Sequence, residues 1–310
     1  MLAQSSLSTI KPFPLPADFR QRFSFGGVSV ELRADSADDV NGGDELLAFQ
    51  DARHSDQAEI DIEVLWVDEL QEQPTQKNFD SGALWSVFDL GDESVFEFTS
   101  PLSGHRPYKQ LRVDPDFRNA KAILSRAARE RCGTISPLEY PACELLMTNY
   151  LARHGLGVEV HGCGLIDRDT GGHLFLGHSG AGKSTTARMW ETFRAPEILS
   201  DDRIILRLHE GELWMYGTPW HGEAVFASPM SVKINRIHIL KHGRENKFSI
   251  LTPARAVGEV FARCFPPFYS SSGLAGAMDF IKNSLAVVPC YEFNFVPDRS
   301  SLSAVLSFHD

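Results

Sequence analysis

The chain has 310 residues, 43% of them hydrophobic, with 30 Lys and Arg against 41 Asp and Glu, a formal net charge of −11. That size suits two domains with their own cores, and the charge excludes a general nucleic-acid binder, which needs a basic surface. No apolar run approaches the eighteen or so residues of a membrane span, and the N-terminus lacks a basic start leading into an apolar stretch, so a cytoplasmic protein without a signal peptide is expected.

The five cysteines, Cys132, Cys143, Cys163, Cys264 and Cys290, are scattered and show no C-x-x-C spacing. They read as reduced, buried thiols rather than as a disulfide framework or a zinc site. The acidity is local. Residues 34–80 hold fourteen Asp or Glu against Arg53 and Lys77, a local net of −12 that leaves the rest of the chain at +1. This segment reads as solvated loops. The remainder does not repel a polyanionic ligand.

Residues 1–20, with Pro12, Pro14 and Pro16, read as a leader with little structure. Phe23 and Phe25, then Val28, Val30 and Leu32, alternate around Gly26-Gly27 as strands. Ile60, Ile62 and Val64 alternate with acids as a half-exposed strand. Trp85 and Val87, then Val95, Phe96 and Phe98, flank Gly91-Asp92-Glu93 as a hairpin. Tyr108 to Val113 reads as another strand. Residues 114–134, carrying Arg118, Lys121, Arg126, Arg129 and Arg131, read as a solvated helix or linker. A buried helical stripe, Leu145, Leu146 and Tyr150, follows Pro141 in a first turn.

Beyond this point the pattern is strand (Val158 to Leu165), turn, strand (His173 to Leu176), glycine-rich loop and helix (Thr185 to Thr192). Strands are expected over Ile204 to Leu208, Leu213 to Tyr216, Ile234 to Leu240 and Cys290 to Val296. Helices are expected from Thr252-Pro253 through Arg263, after the loop Phe265 to Gly273 as far as Leu285, and from Pro297 onward. The whole reads as an α/β chain: a β-rich N-terminal domain over residues 1–134, then a phosphate-loop domain over residues 135–310.

The loop is Gly177-His178-Ser179-Gly180-Ala181-Gly182-Lys183-Ser184, which fits G-x-x-x-x-G-K-[ST] between a strand and a helix, the context the motif requires. Glycines let successive backbone N–H groups turn inward around an anion, and the helix opening at Thr185 adds its positive end. Lys183 is placed for the β- and γ-phosphates of ATP and the Ser184 hydroxyl for Mg²⁺.

Phosphoryl transfer also needs carboxylates. Asp201-Asp202 begins 18 residues after Lys183, the length of one helix and a return to the sheet. Adjacent acids point different ways, so one can face metal and the other an acceptor. The bland alternative is a solvated Ser-Asp-Asp turn. Two histidines stand out: His161, in the strand before the loop, and His221, beside Trp220 and Glu223 in a Gly/Pro loop.

His161-Gly162, the loop over Gly177 to Ser184 and Ser200-Asp201-Asp202-Arg203 together resemble the HPr kinase/phosphorylase family, within the phosphoenolpyruvate-carboxykinase-like phosphate-loop fold. The resemblance spans roughly residues 138–296. It implies ATP on the loop from Gly177 through Thr185, Mg²⁺ on Ser184, Asp201 and Glu223, Asp202 as base toward a serine hydroxyl, and His161 near the transferred phosphate. The segment Tyr216 to Glu223 departs from the glycine-rich stretch tied to dephosphorylation. It is more similar to HPr-kinase-like proteins found beside peptide-natural-product genes. The function so implied is an ATP- and Mg²⁺-dependent kinase acting on a serine of a small protein or precursor peptide, with homo-oligomers possible in the family. A nucleotide-sensing module without transfer, and a kinase for a free serine-type metabolite, stand as alternatives. The transferase reading requires the acids at 201 and 202 to stand beside the phosphate loop.

Overall fold

The computed structural model describes residues 19–39, 41–51, 57–71, 73, 76–104 and 106–308. The expected leader lies, up to residue 18, outside the described residues. The architecture is mixed α/β, built on two eight-stranded sheets.

The first sheet comprises β1 (Phe19–Phe25), β2 (Val28–Ala34), β3 (Ile60–Val67), β4 (Phe79–Asp80), β5 (Trp85–Leu90), β6 (Glu93–Thr99), β7 (Pro107–Val113) and β8 (Asn119–Ser125). Their spatial order is β1-β2-β3-β8-β7-β6-β5-β4. β3 runs parallel to both β2 and β8, and the other pairs are antiparallel. The expected hairpin is β5–β6, with Val87 opposite Phe96.

Residues 114–134 correct the expectation of a helix or linker. Asn119–Ser125 is the central strand β8, and only α1 (Arg126–Cys132) is helical. Ala120, Ala122 and Leu124 alternate inward, while Lys121 turns out to Glu63 at 3.6 Å. The scattered basic residues imitate a solvated helix face, and three small-to-medium apolar residues at period two carry the true signal.

α2 (Ala142–His154) leads into the second sheet: β9 (Gly157–Asp167), β10 (Gly171–Leu176), α3 (Lys183–Arg194), β11 (Glu197–Ser200), β12 (Arg203–His209), β13 (Glu212–Tyr216), β14 (Ser231–His242), β15 (Lys247–Ile250), α4 (Pro253–Phe261), α5 (Ser271–Val287), β16 (Cys290–Phe295) and α6 (Arg299–Leu306). The path is β10-β9-β12-β13-β14-β16-β15, and β10 also pairs with β14, so five strands close a ring. Two long strands make this possible by changing partner midway. β9 pairs with β12 over Gly157 to His161 and with β10 over Gly162 to Asp167. β14 pairs with β13 over Ser231 to Lys233, then with β10 and β16. The short strands β11 and β15 are additions to the sequence reading.

The hydrophobic core continues across residue 134. The cluster under the first sheet takes in Cys143, Leu146, Met147, Tyr150 and Leu151 of α2, together with Ile205 from β12 of the second sheet and Trp220 from the loop after β13. α2 therefore lies between the sheets and presents buried residues to both. No helix among the described residues is long and apolar enough to cross a membrane.

Ile205 is fully buried in that shared core although it belongs to β12. Ile205→Ala is expected to destabilise the protein by about 2–4 kcal/mol, through lost burial plus a cavity. Denaturant unfolding followed by fluorescence measures this. A cost below ~1 kcal/mol would show that the sheets are not coupled through this contact.

Candidate active site

The sheet sets the phosphate loop rigidly. β10 is hydrogen-bonded to β9 on one side and β14 on the other, and the loop leaves its end at Gly177. Gly182 adopts φ +100°, and a Cβ there would stand 2.4 Å from the Phe295 ring, so this turn into α3 requires glycine. Lys183 is only 6% exposed. Its Nζ donates to the carbonyl oxygens of Gly177 at 3.1 Å and His178 at 3.2 Å. Burial pulls the Lys183 pKa below its ordinary value, partly offset by Asp202 and Asp201.

The rim of the loop, His178, Ser179 and Gly180, is exposed, as is Thr185 in the first turn of α3. Arg263 is the largest influence lowering the His178 pKa, followed by desolvation and Lys241, with Glu259 acting the other way. Arg263 is buried and, like Lys241, is paired with Glu259, at 2.7 and 3.5 Å. The donors turned to an anion at this mouth are therefore Lys183 and the N-terminal end of α3.

Asp201 stands directly beside the loop. Ser184 Oγ donates to Asp201 Oδ2 at 3.1 Å. The Asp201 carboxylate, 1% exposed, also accepts from the backbone N–H of Gly222 at 3.0 Å and of Ala224 at 3.3 Å. A Cβ on residue 222 would come within 2.8 Å of Asp201 Oδ2. Glycine at 222 is what lets the backbone close on the carboxylate.

Asp202 points the other way, as alternation at adjacent positions demands. Its Oδ1 lies 2.9 Å from His161 Nε2 and its Oδ2 accepts from Arg203 Nε at 2.9 Å. Burial works against its charge, but the hydrogen bond from His161 and the Arg203 guanidinium prevail and hold its pKa down at about 2. The carboxylate is thus ionised and fixed at neutral pH.

Arg203 is itself clamped. Its Nη1 donates to Glu144 at 2.6 Å and Glu159 at 3.1 Å, and the guanidinium lies 3.5 Å from the centre of the Phe265 ring. Burial acts to lower the Arg203 pKa, but the surrounding carboxylates raise it overall. Burial and the neighbouring Glu144 push Glu159 well above the ordinary carboxyl range. Glu144, from α2, and Glu159, from β9, are site residues that the sequence reading missed. The available signal for Glu159 was an acid between Val158 and Val160 in a strand buried on both faces.

His161 and Gly162 tie these parts together through the backbone. His161 O accepts from Gly177 N at 3.2 Å, and Gly162 N donates to Asp202 O at 3.0 Å. A cavity of about 260 Å³ opens at Asp202 and Arg203, walled by Glu45, Tyr140, Pro219, Trp220 and His221. Trp220 anchors this wall. Its Nε1 donates to Cys143 Sγ at 2.9 Å and its ring meets Phe25 edge-on at 5.7 Å. His221 is exposed, with its Nδ1 3.1 Å from the Gly222 carbonyl oxygen in its own loop.

Among the described residues no three His, Cys, Asp or Glu side chains form a metal-binding group. The oxygens of Ser184 and Asp201 suit Mg²⁺, which takes few protein ligands and completes its shell with phosphate and water. Glu223, expected beside them, is exposed; its neighbours Gly222 and Ala224 serve Asp201 through their backbone.

Two outcomes follow from the clamp. Arg203→Met is expected to cost about 3–5 kcal/mol, because Glu144, Glu159 and Asp202 lose their shared cation in a buried setting; a denaturant melt reads this, and a cost near zero would contradict the assignment. Asp202, depressed from 3.8 to about 2, contributes stability that is complete above pH 3.8 and is lost as pH falls through about 2. The stability difference between wild type and Asp202→Asn should therefore shrink by on the order of 2 kcal/mol from pH 5 to pH 2, measured by urea unfolding at each pH. Comparison with protein-family models and with curated proteins finds no match for the chain.

Proposed function

We propose that the protein is an ATP-dependent kinase of the phosphate-loop, HPr-kinase-like type, transferring the γ-phosphate to a serine hydroxyl of a small protein or peptide. The observation that carries this reading is the run Ser184–Asp201–Asp202–His161. One acid joins the loop hydroxyl, and the next residue faces a cavity with both its oxygens held. A turn that served only solvation would not bury Asp201 to 1% exposure.

The loop amides, Lys183 and the N-terminal end of α3 grip the triphosphate. Mg²⁺, held by Ser184 and Asp201 when bound, would neutralise charge on the β- and γ-phosphates. Asp202 accepts the hydrogen bond of the acceptor hydroxyl and orients its oxygen toward the γ-phosphorus. As that P–O bond forms, the bond from the γ-phosphorus to the β–γ bridging oxygen breaks and ADP leaves. The hydroxyl proton passes to Asp202. Its low pKa suits a transition state in which the proton moves late and positioning does most of the work. His161 fixes the carboxylate in that orientation.

Incubation with γ-labelled ATP, Mg²⁺ and serine-containing peptides tests the reading. Asp202→Asn should lower turnover about 10²–10⁴-fold while nucleotide affinity stays nearly unchanged, and Lys183→Met should weaken nucleotide binding itself. ATP-dependent binding of a partner with no consumption of ATP would replace the kinase with a nucleotide sensor.

A further inference from the structure

Three cavities meet at Tyr140. The first is the one at Asp202. The second, of about 230 Å³, lies between the edge of the first sheet and the loop before α5, with Phe79, Trp85, Phe265, Phe268 and Tyr269 among its walls. The third, of about 340 Å³, is bounded by Leu84, Leu102, Tyr108, Glu45 and Glu139. Tyr140 lines all three, Arg203 lines the first and second, and Glu45 lines the first and third. The result is a branched groove that starts at the candidate base and runs along the seam between the sheets.

The groove is apolar where a surface should not be. Leu102 is 77% exposed, Phe268 60%, Tyr140 47% and Leu84 37%, and all four border these cavities. Such clustering of exposed large apolar side chains marks a binding surface. The second cavity is nonetheless aromatic to its floor: Tyr269 packs within 6.0 Å of both Phe79 and Trp85, ring centre to ring centre. Its volume, and that of the cavity at Asp202, fall below the ~300–1,000 Å³ of a typical small-molecule pocket. Each is sized for a side chain, and their linkage suits an extended segment.

Charge adds a second specification. Glu45 accepts from the Tyr140 N–H at 3.3 Å, and Glu139 reaches the fully buried Lys109 at 3.3 Å. Two carboxylates thus face the third cavity with one buried cation behind them. Desolvation and the neighbouring Glu139 raise the Glu45 pKa, the response of a carboxylate short of positive charge.

We propose that this groove receives the phosphate acceptor as an extended peptide segment. An aromatic or large aliphatic side chain fills the Phe79–Trp85–Phe268 cavity, and a Lys or Arg faces Glu45 and Glu139, on opposite branches from the serine at Asp202. The proposal rests on the transfer reading above and gives the first sheet its role as the specificity wall.

The test uses the full chain, γ-labelled ATP and a synthetic peptide array with one serine, in which Phe and Lys are placed at varied spacings on either side or replaced by Ala. Peptides carrying both should exceed the doubly substituted ones by about tenfold or more in kcat/KM. Phe268→Ala, at an exposed position, should raise KM for the Phe-bearing peptides and erase their advantage over Ala peptides. Glu45→Lys should turn the preference from Lys-bearing to Glu-bearing peptides, a reversal that a merely structural role would not produce. Nucleotide affinity checks that both variants fold. Equal transfer to all peptides, preference for free serine, or an unchanged charge preference in Glu45→Lys would each overturn the groove while leaving the kinase intact. No transfer to any acceptor with nucleotide binding retained would overturn the kinase reading and the groove with it.

Discussion

A carboxylate almost wholly removed from water persists only where donors surround it, and Asp201 meets that condition by drawing three separate segments together. The Ser184 hydroxyl comes from the start of α3, the Gly222 and Ala224 amides from the loop after β13, and Asp201 itself from the bend between β11 and β12. The phosphate loop, the acid pair and the cavity wall thus converge on a single side chain. Asp202, one residue on, is left to face the cavity, held there by His161 and Arg203.

The two acids illustrate how environment separates identical groups. Asp201 is bound by backbone amides and a hydroxyl, neutral donors that fix its place. Asp202 is bound by an imidazole and a guanidinium, and the guanidinium is shared with Glu144 and Glu159. Four ionisable groups from α2, β9 and the β11–β12 bend share one charge balance around Arg203. The stack of Arg203 on Phe265 brings the segment before α5 into the same assembly. A carboxylate so embedded keeps its orientation without help from a bound ligand, which is the condition for positioning to act at the moment of reaction.

What the sequence made legible was local. The loop from Gly177 to Ser184 and the acids at 201 and 202 are short motifs whose spacing encodes their placement, and strands such as β2, β5 and β6 announce themselves by alternation. The misreading of β8 came from charges that mimic a solvated helix, although Ala120, Ala122 and Leu124 kept the strand period. The pairing of Glu144 and Glu159 was beyond reach for another reason, although the place of Glu159 in a buried strand was itself a local signal. Their partner Arg203 lies 59 and 44 residues away, and no local period reports a contact of that range. The same holds for Glu45 and Tyr140, which belong to opposite sides of the chosen boundary at residue 134 yet wall one cavity with Asp202.

The backbone of His161 and Gly162 touches the first glycine of the phosphate loop and the second acid of the pair within one dipeptide of β9. That strand therefore acts as a common ruler for the phosphate loop and the acid pair, and its length is locked by partners on either flank. Insertions in the surrounding loops leave the ruler untouched, whereas adding or deleting one residue within β9 would throw the two out of alignment together. The edge of the first sheet carries no such lock. Under the proposed transfer, side chains on that edge can change while the phosphate loop and the acid pair keep their places.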